Sequence, residues 1–193
     1  YMDGTTDITR TYPLGELTED EKRFYTWTLQ SHIDLAKAVW LDYCECKMID
    51  TIAREPLWRH LINYRCGTGH SVSFVGNVHE GPHALNGRNT TLMRPGMIVT
   101  DEPGVYETDL VGIRIENELV CVHKADNQYG TFLGFEPLMF VPIATSPILP
   151  GVLDRDEIAW LNDYHRQVFA KLAPHLNDAE RVWLAEKCAA ISC

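Results

Sequence analysis

The chain has 193 residues, of which 45% are hydrophobic and 23% charged, proportions that suit a globular protein with a sizeable core. Its net charge of −10 argues against a nucleic-acid partner, because binding to phosphates needs a basic surface. No apolar run approaches the roughly 20 residues of a membrane span, and the first residues lack the basic and apolar regions of a signal peptide. The 6 cysteines are spread along the chain, which suits reduced thiols in a cytosolic protein. We therefore expect a cytoplasmic protein without a membrane or nucleic-acid role. The sequence opens on Tyr1 instead of Met, so we expect that this is not a native N-terminus.

The first third of the chain predicts one strand followed by two helices. Residues 5–12 are rich in Thr and Ile and predict a strand. Thr18 and Glu21 have the spacing of a capping box, which predicts a helix over residues 19–39. Apolar residues at helical spacing predict a second helix over residues 49–64.

The middle of the chain changes to short β-rich runs separated by Gly and Pro. Residues 79–94 have no periodicity and predict a long ordered loop, a kind of segment that is often functional. Four strands are predicted around this loop, over residues 70–75, 97–101, 112–123 and 135–141.

The last part of the chain returns to helical spacing. Asp154 caps a predicted helix that continues to about Leu172, and Asp178 begins another. Helices followed by a meander of strands and then by more helices indicate the α+β fold class.

Four acidic or imidazole side chains lie on predicted strands or beside glycine turns instead of on helix surfaces: Asp7, His70, Glu102 and Glu116. A Gly-Thr-Gly turn precedes His70 and lets the backbone approach its neighbours closely. A carboxylate is costly to bury unless it is paired or binds a metal. Mixed oxygen and imidazole ligands suit Mn, Fe, Co or Zn. Each carboxylate read singly also fits a solvated surface, so spacing alone leaves the metal site a hypothesis.

The predicted strand over residues 112–123 has two chemically different faces. Alternation puts Arg114, Glu116 and Glu118 on one face and the apolar residues between them on the other. A cation thus lies beside two carboxylates, either to support a site or as a simple surface ion pair.

Five sequence blocks carry further information through their order and spacing. They are Asp3-Gly4-Thr5-Thr6-Asp7-Ile8-Thr9-Arg10, Gly67-Thr68-Gly69-His70, Asn77-Val78-His79-Glu80-Gly81-Pro82, Thr100-Asp101-Glu102-Pro103-Gly104 and Gly112-Ile113-Arg114-Ile115-Glu116-Asn117. Together they resemble the Xaa-Pro aminopeptidase (aminopeptidase P) branch of the pita-bread metallopeptidases. One block is a weak signal, whereas five in the family's order are a strong one.

The resemblance implies a pita-bread fold, with residues 1–150 as part of the catalytic domain and residues 151–193 as a C-terminal helical extension. It also implies two divalent metal ions, usually Mn²⁺, with Zn²⁺ or Co²⁺ as alternatives.

The metal ligands are carried over block by block. Asp7 and Glu116 match the family's bridging carboxylates, and His70 and Glu102 match its remaining ligands on one ion. The family's first Asp ligand lies ahead of Tyr1, outside this sequence, as do another active-site His and an N-terminal domain. We therefore expect the chain alone to bind one ion well and the second poorly.

The chain departs from the family pattern around the Gly-Thr-Gly turn. Cys66 stands where the family has an active-site His, and Ser71 and Ser73 replace glycines. Because the family uses no Cys nucleophile, we interpret Cys66 as a small packed residue. These changes leave the metal ligands untouched but bear on full activity.

The resemblance implies release of the N-terminal residue from peptides with proline in second position, by attack of metal-activated water. In this scheme Glu102 shuttles the proton, His79 contacts the substrate or stabilises the oxyanion, and Arg114 braces the bridging carboxylates. The family often forms homodimers, so a homodimer is a further expectation. Two alternatives stay open: a catalytically impaired domain that binds peptides or proteins, and a folded fragment whose activity needs the missing segment.

Overall fold

A computed structural model describes residues 1–192 of the chain, and within them it confirms the expected α+β class. The helices are α1 (Glu19–Ala36), α2 (Cys46–Trp58), α3 (Arg155–Leu172) and α4 (Asp178–Lys187), with a 3-10 helix at Ala173–His175. The strands are β1 (Val39–Leu41), β2 (Gly69–His70), β3 (Ala84–Leu85), β4 (Ile98–Asp101), β5 (Gly104–Glu107), β6 (Val111–Arg114), β7 (Asn117–Asn127) and β8 (Gly130–Pro137).

The strands form one four-stranded sheet and two small ribbons. The sheet has the order β1-β8-β7-β4 with antiparallel neighbours, and the ribbons are β2-β3 and β5-β6. In the pairing of β4 with β7, Asp101 lies opposite Asn117. Glu102 directly follows the first of these residues and Glu116 directly precedes the second, so both glutamates come to the same edge of the sheet.

The hydrophobic core has three clusters of buried residues, and helix α1 contributes to the two larger ones. One cluster joins the end of α1 to α2 and to the four-stranded sheet, around Leu35, Ile49 and Val99. The other joins α1 to β6, α3 and α4, around Ile113 and Leu161. The C-terminal helices therefore share a core with the segments that carry the site.

Three of the four predicted helix starts are confirmed, whereas the start of the second helix and two helix ends are wrong. Capping boxes at Thr18 and Asp154 begin α1 and α3, and α4 begins at Asp178 as predicted. The helix predicted to reach Val39 ends at Ala36, because Val39 pairs with Gly134 of β8 instead.

The second predicted helix is displaced toward the N-terminus. Instead of residues 49–64 it covers Cys46–Trp58. Leu61 has a φ of 59°, in the left-handed region, so the chain leaves the helical conformation there. Packing of the following segment, with Tyr64 buried, overrides the apolar spacing that suggested a longer helix.

The strand predicted over residues 5–12 is wrong, since the segment is extended without a strand ladder. Individual backbone groups of this segment form hydrogen bonds with residues at the start of β7 or directly before it. The N–H of Asp7 donates to the Glu118 carboxylate (2.7 Å), and Thr9 O accepts from the N–H of Glu116 (3.0 Å).

The strand predicted over residues 112–123 is two strands, β6 and β7, separated at Ile115 and Glu116. The two halves pair with different partners, which the alternation pattern does not encode.

The remaining strands vary in how well they match. The strand predicted over residues 97–101 is confirmed as β4. The one over residues 70–75 shrinks to β2, and the one over residues 135–141 lies earlier, as β8. The long loop over residues 79–94 contains β3. In the described residues, no helix is both long enough and apolar enough to cross a membrane.

Candidate metal centre

The four predicted ligands come from four separate segments that meet at one edge of the sheet. Asp7 lies in the extended N-terminal segment, His70 in β2, Glu102 directly after β4, and Glu116 between β6 and β7. His70 Nε2 lies 3.1 Å from Glu102 Oε1 and 3.6 Å from Asp7 Oδ2. The negative charges of Glu102 and Asp7 both act on Glu116.

A close approach between β2 and β4 brings His70 to Glu102. A Cβ atom at Gly69 would lie 1.7 Å from the carbonyl oxygen of Thr100, so only glycine fits. The N–H of His70 then donates to the Thr100 hydroxyl (2.9 Å), and the N–H of Glu102 donates to Thr68 O (2.7 Å).

The break between β6 and β7 positions Glu116. Its carboxylate accepts a hydrogen bond from the Thr9 hydroxyl. Its carbonyl oxygen accepts from Arg10 Nη1 at 2.5 Å, and its N–H donates to Thr9 O. Glu116 is 1% exposed. Backbone and side chain of Glu116 are thus held by the same two residues of the N-terminal segment.

The ion pair between His70 and Glu102 governs the charges of both groups. Burial alone lowers the pKa of His70, but the hydrogen bond to Glu102 and the charges of Glu102 and Asp7 outweigh it and raise that pKa. Burial alone raises the pKa of Glu102, and His70 together with Arg114 outweighs it and lowers that pKa. Glu102 is therefore a carboxylate at neutral pH.

The pKa of Glu116 is shifted in the opposite direction from that of Glu102. Burial is the largest cause that raises its pKa to about 7, and the charges of Glu102 and Asp7 add to it, against the hydrogen bond from Thr9. Burial also raises the pKa of Glu118, whose carboxylate faces the N–H of Asp7.

Arg114 contacts a different carboxylate from the one that was predicted. Its Nη1 lies 3.0 Å from Glu102 Oε2, and its guanidinium lies 5.7 Å from the centre of the Tyr106 ring. Arg114 thus forms a direct ion pair with Glu102, and its positive charge also acts on Glu116.

His79 comes to the mouth of the site from the long loop. Its ring lies 3.9 Å from the ring of His70, centre to centre, and the residue is exposed. Cys66 is half-buried and lines a cavity of about 260 Å³ together with Tyr64 and Tyr106.

Three supporting residues were missed as site residues by sequence reasoning: Thr9, Thr100 and Glu118. Two of them were quoted in the sequence blocks without a role, and Glu118 was placed on the carboxylate face by alternation. Their hydroxyl and carboxylate groups form the contacts that orient the ligands.

The chemistry of the donor set fits a divalent cation. Four carboxylates, from Asp7, Glu102, Glu116 and Glu118, gather around the imidazole of His70 and the guanidinium of Arg114. Buried negative charge of this kind is costly without a balancing cation. Across residues 1–192 no three such side chains already form a metal-holding cluster. His70 Nε2 instead donates to Glu102 Oε1 at 3.1 Å. Metal binding therefore requires these two groups to exchange their mutual contact for bonds to the ion.

Two family signatures match the chain. "Metallopeptidase family M24" matches residues 1–123, and "C-terminal region of peptidase M24" matches residues 131–191. Aminopeptidase P1 of Lotus japonicus is 44% identical over 191 residues, which are 95% of this chain and 29% of that protein. Aminopeptidase P2 of Arabidopsis thaliana is also 44% identical, over 95% of this chain and 27% of that protein. The chain thus spans less than a third of these relatives' length.

Solved structures confirm the pita-bread fold. An X-prolyl aminopeptidase from Caenorhabditis elegans, described as a cytosolic enzyme with a di-nuclear active site, superposes with a TM-score of 0.92 at 38% identity. The match covers 98% of this chain and 32% of the nematode chain. A prolidase from Pyrococcus furiosus gives a TM-score of 0.61 at 27% identity, over 72% of this chain and 38% of its own.

Proposed function

Because the chain belongs to metallopeptidase family M24, we propose that it carries the metal-binding part of an aminopeptidase that releases the N-terminal residue from peptides with proline in second position. The observation that carries the proposal is the convergence of Asp7, His70, Glu102 and Glu116 at one sheet edge. The naming of relatives as aminopeptidase P and X-prolyl aminopeptidase supports the choice of substrate.

We assign the four ligands to one ion, with Asp7 and Glu116 shared with a second ion. Mn²⁺ is the proposed metal, and Zn²⁺ and Co²⁺ are the alternatives. When bound, such an ion polarises a carbonyl group and lowers the pKa of water toward neutrality. The di-nuclear site described for the nematode relative supports divalent metal, and its description as cytosolic supports a cytoplasmic location for this protein.

Glu102 is the proposed proton acceptor. Its low pKa keeps the carboxylate ionised, and its two oxygens contact His70 and Arg114 at 3.1 and 3.0 Å. Because His70 would turn to the metal ion, the contact with Arg114 is the one that keeps the carboxylate oriented, as general base catalysis requires. Arg114 is thus a positioning group for Glu102.

His79 is the proposed substrate contact. Its exposed ring, tilted against the ring of His70 at the mouth of the site, can donate a hydrogen bond to the scissile carbonyl as negative charge develops on its oxygen. The Xaa-Pro bond is a tertiary amide without an N–H, so recognition has to come from such donors and from the shape of the proline ring.

The domain organisation and the oligomeric state are proposed from the family resemblance. Residues 1–150 form part of the catalytic domain, residues 151–193 form a helical extension, and two chains associate as a homodimer. These three statements stay predictions from the family resemblance.

The direct test is release of Arg from an Arg-Pro-Pro peptide by the purified protein. We expect turnover to fall by at least about 100-fold on Glu116→Ala or with a chelator. Glu136→Ala is the matched control, because the side chain of Glu136 on β8 is 63% exposed, and it should leave turnover unchanged. Turnover that resists both the chelator and Glu116→Ala would contradict the proposal. A protein without bound metal and without turnover would favour the alternative, a domain that binds peptides or proteins.

A further inference from the structure

Helix α2 contains a buried ion pair that the metal site does not use. Asp50 is 1% exposed and Arg54 is 9% exposed, and Arg54 Nε donates to Asp50 Oδ2 at 2.8 Å. A buried ion pair adds little net stability by itself, because removing both charges from water offsets their attraction. The contacts that Asp50 and Arg54 make with other segments are therefore the better guide to the role of the pair.

Arg54 holds the backbone that leads to the Gly-Thr-Gly turn. Its Nη1 donates to Tyr64 O at 2.8 Å, and its Nη2 donates to Cys66 O at 3.0 Å. The guanidinium also lies 4.2 Å from the centre of the Tyr64 ring. One rigid, planar side chain thus fixes two carbonyl groups two residues apart.

Asp50 holds the turn itself through a hydroxyl group. The Thr68 hydroxyl donates to Asp50 Oδ1, and the Tyr64 hydroxyl lies 2.5 Å from the same Thr68 oxygen. Thr68 is fully buried. The Thr68 hydroxyl thus has one partner as a donor and another as an acceptor. These two contacts fix the orientation of its side chain.

The backbone of Thr68 connects this network to the two ligands. Its carbonyl oxygen accepts from the N–H of Glu102 at 2.7 Å. Two residues on, the N–H of His70 donates to the Thr100 hydroxyl, which in turn donates to Glu102 Oε1 at 3.1 Å. A displacement of Thr68 would therefore move Glu102 and His70 relative to each other.

We propose that Thr68, locked by Asp50 and Arg54 of α2, is the positioning residue that sets His70 against Glu102. The importance of Thr68 for catalysis rests on the proposed function, whereas its effect on the relative positions of His70 and Glu102 does not. Asp50 and Arg54 act through Thr68 and through the carbonyls of Tyr64 and Cys66, without touching the metal ligands.

The test compares Thr68→Val with Thr68→Ser in the purified protein. Valine keeps the branched shape but removes the hydroxyl, and serine keeps the hydroxyl. Thr26→Val on α1 is the matched control: Thr26 is fully buried, and its hydroxyl donates to Lys22 O and accepts from the N–H of Leu149. We measure the Mn²⁺ dissociation constant, and by NMR the amide exchange of Glu102 in metal-free protein.

We expect Thr68→Val to raise the Mn²⁺ dissociation constant about 10–100-fold, the range found for outer-shell partners of metal ligands. It should also speed Glu102 amide exchange about 10-fold, because the acceptor Thr68 O is no longer fixed. Thr68→Ser should restore both values to near those of the parent protein, and Thr26→Val should change neither.

Equal effects of Thr68→Val and Thr26→Val, or unchanged Glu102 exchange in Thr68→Val, would overturn the proposal. If Thr68→Val does not fold, Tyr64→Phe removes one of the two contacts of the hydroxyl and should shift both values in the same direction by a smaller factor; no shift overturns the proposal. If the parent protein binds no Mn²⁺ while Glu102 exchange still responds to Thr68→Val, the positioning role stands and the proposed function fails.

Discussion

His165 shows how a buried side chain outside the site ties stability to pH. It is 1% exposed, its Nε2 accepts from the N–H of Ile143 at 3.1 Å, and its Nδ1 has no hydrogen-bond partner within the described residues. Burial, aided by the positive charge of Arg10, lowers the pKa of His165 to about 4. Nε2 must stay unprotonated to accept the hydrogen bond, which fits this pKa.

We predict that His165→Gln makes the protein less sensitive to mild acid. The folded pKa of about 4 lies below the ordinary value of about 6.5 in the unfolded chain. The unfolded chain thus binds more protons between these values, and the free energy of unfolding falls as pH drops through this window. Lowering the pH from 7 to 5 should therefore reduce the free energy of unfolding of the parent by about 1–2 kcal/mol through His165. This contribution should be absent in the variant.

Urea unfolding of the parent and the variant at both pH values measures the difference. His175→Gln is the control, because His175 is exposed, and it should keep the pH dependence of the parent. Equal losses of stability in the parent and in His165→Gln between pH 7 and 5 would refute this role.

At the residue scale, the four proposed metal ligands could be chosen from the sequence, and the residues that support them could not. Asp7, His70, Glu102 and Glu116 lie in short blocks with a recognisable order. Asp50 and Arg54, in contrast, have the spacing of any exposed helical ion pair. Only the tertiary structure shows that the pair is buried and faces a hydroxyl 18 residues away in sequence.

At the scale of elements, the close approach of β2 to β4 is the feature that joins two ligands. We predict that Gly69→Ala destabilises the protein by at least about 3 kcal/mol, because the added methyl would overlap the Thr100 carbonyl and push the strands apart. Gly87→Ala is the control, since its surroundings are open, and it should cost less than about 1 kcal/mol. Denaturant unfolding measures both, and a mild effect at Gly69 would show that the strands can separate at low cost.

Helix α3 reaches the site through a hydroxyl group. Tyr164, 1% exposed, accepts from Arg10 Nη2 at 2.8 Å and donates to Met139 O at 2.9 Å. Since Arg10 also holds the carbonyl of Glu116, the C-terminal helices are linked to a proposed metal ligand.

We predict that Tyr164→Phe lowers the free energy of unfolding by about 1–3 kcal/mol, because it removes the hydrogen bonds of this hydroxyl with Arg10, Met139 O and the N–H of Val141. Tyr25→Phe is the matched control, since that buried hydroxyl makes one bond, to Ala144 O at 2.6 Å, and about 1 kcal/mol is expected. Urea unfolding of both variants measures the two losses. A loss at Tyr164 no larger than that at Tyr25 would argue against the linking role.

Elements with their own local signals were predicted well. The capping boxes at Thr18 and Asp154 set helix starts through contacts three residues apart, so the sequence is sufficient. The strand β1 has three residues and pairs with β8, more than 90 residues further along the chain, and the two-residue strand β2 pairs with β3 across a loop. The strand predicted over residues 5–12 was wrong because of another distant contact. The N–H of Asp7 donates to the Glu118 carboxylate instead of to a neighbouring strand.

At the scale of the whole molecule, the chain belongs to metallopeptidase family M24 and brings together the four segments that carry the proposed metal ligands. It spans less than a third of the length of its plant relatives. The matches to residues 1–123 and 131–191 leave the proposed division at residue 150 and the homodimer as predictions.

The most direct test of the metal centre is a calorimetric titration of the purified, metal-free chain with Mn²⁺. We predict one tightly bound ion per chain, a second bound much more weakly, and loss of the tight site in Glu116→Ala. No binding, two equally tight ions, or a tight site that survives Glu116→Ala would contradict the assignment of Asp7, His70, Glu102 and Glu116 to this ion.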